Sequence, residues 1–137
     1  MKKIVVIDGQ GGKIGSLLIE KLKEKKSVYE IYAVGTNGIA TAAMMKAGAD
    51  YGATGENPVI VNCRNADIIV GAVGIVVADS FIGEITPAMA TAVGQSGALK
   101  VLLPVNRNHC NNYIVGARDL SVSELIDAAA AHINTLL

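Results

Sequence analysis

The chain is short of several things, and each shortage removes a class of protein. It has only two cysteines, Cys63 and Cys110, which is no secreted disulfide framework. No sign of charge is in excess: 12 Lys and Arg balance 12 Asp and Glu, which argues against binding nucleic acid through a bulk basic surface. No long hydrophobic run exists either. The strongest, Ile68 to Ala78, has 11 residues and includes two glycines, whereas a membrane-spanning helix needs roughly 20. Residues 1–7 begin basic and turn apolar, but the apolar run ends at Asp8, shorter than a signal-peptide core. With three prolines, and glycines that follow no period, collagen, coiled coil and disorder are excluded as well.

What remains is 137 residues that are 51% hydrophobic and 18% charged. That is the size of one domain and enough apolar material for a full core. A reduced, cytoplasmic protein without membrane or nucleic-acid partners is the expectation, with residues 1–137 forming a single domain.

Ile4-Val5-Val6-Ile7 is a continuous β-branched run, the pattern of a strand buried on both faces of a parallel sheet. A glycine-rich turn follows. Then Ile14, Leu17, Leu18 and Leu22 recur at helical spacing among charged residues. Ile31 to Val34 reads as the second strand. Asn37 is placed to cap a helix over Ile39 to Ala47, with Gly48 as its left-handed stop. Next come a short strand near Asp50 to Ala53, a helix from Pro58 to about Asn65, and a strand from Asp67 to Ala72. The six-residue step from Val61 to Ile68 is too short for a parallel crossover between two strands, although a hairpin of the two apolar runs is the alternative. Thr86-Pro87 opens a helix to about Gln95, and Leu99 to Val105 is the fifth strand. The short step to Tyr113-Ile114-Val115 predicts an antiparallel edge strand. Ser121-Val122-Ser123-Glu124 is a capping box that opens a terminal helix. The fold class is therefore a doubly wound, Rossmann-like α/β sheet of five to six mostly parallel strands, with helices on both faces. Residues 39–47 and 87–95 carry almost no polar positions, which predicts a homodimer or larger homo-oligomer.

Chemistry is expected at the carboxyl edge of such a sheet. Between the first strand and first helix lies Asp8-Gly9-Gln10-Gly11-Gly12-Lys13-Ile14-Gly15. Glycines there permit a tight reversal and close approach to a phosphate, and the helix start supplies free N–H groups. Gly9, Gln10, Gly11, Gly12, Lys13, Ile14 and Gly15 are thus candidates for binding a nucleotide or other phosphorylated small molecule. Thr36 and Asn37 follow the second strand and can hold a ribose hydroxyl. Thr54, Glu56 and Asn57 follow the third, Gly74 and Asp79 the fourth, and Asn106, Arg107 and Asn108 the fifth. Arg107, one of three arginines, is the best anion anchor. Asp79 and Glu84 are candidates for a ribose contact, for Mg²⁺, or for acid and base roles. Asn106, Asn108, Asn111 and Asn112 suit turns. Cys63, His109 and Cys110 lack metal-ligand spacing, so no metal site is expected, and His132 belongs on a solvated helix face.

The glycine turn resembles that of the extended short-chain dehydrogenases and nitrogen-metabolite-repressor-like proteins, which implies NAD(P) or another nucleotide as cofactor. The resemblance covers about the first 35 residues. Ala33-Val34-Gly35-Thr36-Asn37 offers no acid for an adenine ribose and no arginine for a 2′-phosphate. None of Tyr29, Tyr32, Tyr51 and Tyr113 has a lysine four positions on, so that family's hydride transfer is not expected.

Across the whole chain, further motifs accumulate: Gly35-Thr36-Asn37, Ala40-Thr41-Ala42-Ala43-Met44, Gly52-Ala53-Thr54-Gly55-Glu56-Asn57, Ala78-Asp79-Ser80, Gly83-Glu84-Ile85-Thr86-Pro87 and Pro104-Val105-Asn106-Arg107. Together with the opening turn they resemble the small bacterial proteins grouped as domain of unknown function 3842. That resemblance implies a bacterial cytoplasmic protein forming one complete domain, and no activity. The residues favour a ligand-binding Rossmann-like protein. An NAD(P)-dependent oxidoreductase and a non-catalytic oligomeric or regulatory partner protein are the alternatives.

Overall fold

The computed structural model describes residues 1–25, 28–105 and 112–137. Its chain order is β1 (Lys2–Asp8), α1 (Lys13–Lys23), β2 (Tyr29–Gly35), α2 (Gly38–Lys46), β3 (Tyr51–Thr54), α3 (Glu56–Cys63), β4 (Ile68–Ala72), α4 (Pro87–Gln95), β5 (Leu99–Leu103) and α5 (Val122–Thr135). A single 3-10 turn, Val73–Val76, follows β4.

All four strand pairings are parallel, in the order β3-β2-β1-β4-β5. This is the order of the first five strands of a Rossmann-type sheet. β1 sits at its centre, which explains its unbroken apolar run. Ile4 and Val6 point into one core with Leu18, Leu22, Ile126 and Ile133, while Val5 and Ile7 point into a second core with Val59, Ile69, Met89 and Val93. α1 and α5 therefore cover one face and α3 and α4 the other. Because all the pairings are parallel, every strand's carboxyl end lies at the same edge.

The local signals act as read. Asn37 accepts from Ala40 N at the start of α2, Thr86 from Met89 N at the start of α4, and Ser121 and Glu124 bond reciprocally at the start of α5. Gly48 takes φ 117° just past α2. Residues 56–63 form a helix, which removes the hairpin alternative.

One expectation is overturned. Tyr113-Ile114-Val115 is not an antiparallel edge strand, and among the described residues the sheet is entirely parallel. Tyr113 and Val115 are 83% and 88% exposed. A β-branched segment becomes a strand only when a ladder partner takes its N–H and C=O groups, and among the described residues this one has none. Instead Tyr113 and Ile114 join Pro104, Val105 and Leu125 around a cleft of about 560 Å³ at the end of β5. Asn106, Arg107, Asn108, His109, Cys110 and Asn111 lie outside the described residues. Among those described, no helix is long and apolar enough to cross a membrane.

Candidate functional site

The carboxyl edge is organised around Asp8, the last residue of β1. Its carboxylate is buried and accepts from Gly9 N through Oδ1 and from Gly15 N through Oδ2, both at 2.7 Å. One side chain thus spans the turn and caps the first turn of α1. Burial pushes the Asp8 carboxyl above the ordinary carboxylate range. The hydrogen bonds from Gly15 and Gly9 oppose that rise, and the charge of Glu84 adds to it.

The glycines of the turn divide by role. Gly12 adopts φ 73°, and a Cβ there would stand 2.8 Å from the Ala40 backbone, so its bareness serves the packing of α1 against α2. A Cβ on Gly15 would meet Met44 Sδ at 2.5 Å. Gly9 lies beneath Glu84, Thr36 and Phe81. Gly11 differs: it is exposed, its φ is not left-handed, and a Cβ there meets nothing within 4 Å. The N–H groups of Gly11, Lys13 and Ile14 find no acceptor among the described residues. Lys13 is exposed and forms no ion pair among them. An exposed backbone, unspent N–H groups, a helix start and a lysine therefore share one corner.

Beside that corner the crevice is filled from within. The loop after β4 crosses the end of β1 and delivers Glu84. Its Oε1 accepts from Gln10 N at 2.6 Å and Thr36 Oγ1 at 3.0 Å, and its Oε2 accepts from Asn37 Nδ2 at 3.0 Å. Asn37 also donates to Gln10 O while its own Oδ1 caps α2. The sequence placed Gln10, Thr36, Asn37 and Glu84 on this rim separately; the structure joins them into one network. It does not join Asp79 to Glu84. Asp79 is exposed, with φ 69°, and its carboxylate has no partner among the described residues. Glu56 turns to helix architecture, accepting from Thr86 Oγ1 at 2.5 Å, and Thr54 pairs with Thr41 at 2.8 Å.

Sequence reasoning missed the contact of Phe81 with Gly9 and the clamp made by Asp8. The first had no sequence signal, because loop and turn lie far apart in the chain. The second had one: an acid that ends a buried strand ahead of a glycine turn is within reach of the next helix's free N–H groups. Cys63 is buried in the second core, away from this edge, and burial pushes its thiol up to about 11. Among the described residues no three His, Cys, Asp or Glu side chains come together to hold a metal.

A family model described as a domain of unknown function, DUF3842, matches residues 3–137. No curated protein matches the chain. Among solved structures, the crystal structure of a dodecameric FMN-dependent UbiX-like decarboxylase from Escherichia coli O157:H7 is similar at 15% identity with a TM-score of 0.45, over 99% of this chain and 94% of that one. A likeness at that level assigns no chemistry to this chain.

Proposed function

The chain belongs to the DUF3842 family, and from its own site we propose that it binds a nucleotide or another phosphorylated small molecule at the turn between β1 and α1. One observation carries this reading: among the described residues the N–H groups of Gly11, Lys13 and Ile14 are unspent at the start of α1, and no contact with those residues requires Gly11 to be a glycine. Oriented N–H groups and the positive end of a helix suit an anion, and Lys13 adds a full charge. Arg107, expected to contribute a second cation, belongs to the same proposal. The homodimer or larger assembly does too. It is supported by the exposed apolar positions Ile39 and Met45 on α2 and Tyr51 on the neighbouring edge strand.

A thermal-shift screen with NAD, NADP, ATP, GTP and sugar phosphates, each with and without Mg²⁺, tests the binding. A ligand at 100 times its Kd adds about 2.7 kcal/mol, a shift of several degrees. The shift should disappear in Gly11→Val, which fills space that only a ligand would use. Gly12 is a poor probe, because a side chain there strikes α2. A screen in which no compound moves the melting temperature at millimolar concentration refutes the reading and favours a partner protein that has the fold without the ligand.

A further inference from the structure

We propose that the Glu84 carboxylate is the resident occupant of an oxyanion cradle, and that an acidic group of the ligand, a phosphate or carboxylate, takes its place there. The proposal rests on the reading above, that ligands bind at this edge of the sheet, and adds a second anion position next to the first.

The cradle consists of the three donors that now hold Glu84: Gln10 N–H from the turn after β1, and Thr36 Oγ1 and Asn37 Nδ2 from the end of β2. All three are neutral, so they fit any oxyanion without discriminating by charge partner. Asn37 is aimed in advance. Because its Oδ1 is committed to Ala40 N, its Nδ2 faces the crevice. Gly9 supplies the room, since a Cβ there would stand 2.5 Å from Glu84 Oε1 and 2.8 Å from Phe81. Gln10 and Gly11 are consecutive, with Cα atoms about 3.8 Å apart. The cradle and the start of α1 therefore suit two closely spaced acidic groups, as in a diphosphate.

An internal occupant can be exchanged only if the segment that carries it can give way, and two features of the Glu84 loop favour that. Asp79, Phe81 and Ile82 all take left-handed φ values of 69°, 59° and 56°, which is costly for a β-branched residue above all. Ile82 is 72% exposed, so burial of its side chain does not offset that strain. No salt bridge among the described residues anchors Glu84. Departure of the Glu84 carboxylate would leave three oriented donors for the incoming group.

The test is an amide and side-chain NMR titration of the full chain with inorganic pyrophosphate, run on wild type, Glu84→Ala and Glu84→Gln. Thermal melts establish that each variant is folded, and Glu84→Gln keeps the shape of the side chain if Glu84→Ala collapses. Removing an internal competitor lifts the penalty on apparent affinity. The variants should therefore bind pyrophosphate about tenfold more tightly than wild type, with shifts at Gln10 and at the Asn37 side chain. In wild type, the same titration should also move residues 79–85. Equal affinity in wild type and both variants overturns the cradle, as do variants in which Gln10 and Asn37 stay still. Gly11, Lys13 and Ile14 report separately on the start of α1. Shifts confined to them keep the proposed function and remove the cradle. Shifts confined to Gln10 and Asn37 keep the cradle and remove the α1 site, and silence at both removes both.

Discussion

Glu84 lies directly over Gly9: a methyl group built on that glycine would stand 2.5 Å from Glu84 Oε1, closer than any side-chain contact allows. The loop after β4 and the turn after β1 are thereby matched to each other, and the consequences can be measured.

Gly9→Ala should destabilise the fold by about 1–3 kcal/mol, the cost of forcing a group into filled space, because Thr36 Oγ1 and Phe81 also lie within 2.8 Å of the new methyl. Gly11→Ala, two residues on, meets nothing and should change stability by less than about 0.5 kcal/mol. Urea unfolding of the two variants side by side checks the contrast. Equal effects would contradict the division of roles among the glycines.

Asp8→Asn turns an amide NH₂ toward one of the two N–H groups that the carboxylate now satisfies. A loss of about 1–3 kcal/mol is expected near neutral pH. The substitution also removes a pH dependence. The folded carboxyl titrates above its unfolded value of 3.8, so the unfolded chain ionises first. Stability from this group falls as pH rises from 3.8 through the folded value, then levels off. The difference in unfolding free energy between wild type and Asp8→Asn, measured from pH 3 upward, should shift against wild type as pH rises through that range and then stay constant.

Cys63 should be inert while the protein is folded. A thiol pushed up to about 11 by burial carries about a hundredfold less thiolate at pH 8 than an ordinary one. In a Cys110→Ser background, a chromogenic disulfide reagent should react only after denaturant is added. Rapid labelling of the native protein would place Cys63 at the surface.

At the start of α5, Ser121→Ala should cost about 1 kcal/mol, the usual loss on deleting an N-cap. The hydrogen bond from the Ser121 backbone holds the Glu124 carboxyl below its ordinary value. The support it lends α5 is therefore present above pH 4.5 and lost as pH falls through the folded value. Helical dichroism followed in acid should show wild type losing this advantage over Glu124→Gln.

If α2 is an interface between copies, Ile39→Glu combined with Met45→Glu should convert the assembly to monomers without unfolding them. Ile39 is 74% and Met45 40% exposed in the single chain. Light scattering reads the mass directly, and an unchanged mass clears α2 of that role.

The elements that could be read from the sequence are those whose cause lies within a turn or two of chain. Ile4 to Ile7 announce a strand buried on both faces. Asn37, Thr86-Pro87 and Ser121 with Glu124 mark helix starts because each satisfies backbone groups three residues away. The glycines between β1 and α1 announce a turn at the sheet's carboxyl edge. Tertiary structure alone decided what those glycines are for. Gly12 and Gly15 make room for α2, Gly9 makes room for Glu84, and Gly11 is left to the solvent. Gln10 and Glu84 meet across 74 positions of sequence, and Tyr113 to Val115 form no strand because none of the described strands lies alongside them. Local hydrogen bonds and hydrophobic periodicity are written into neighbouring residues, whereas contacts that close long loops depend on strand order, which exists only once the sheet has formed.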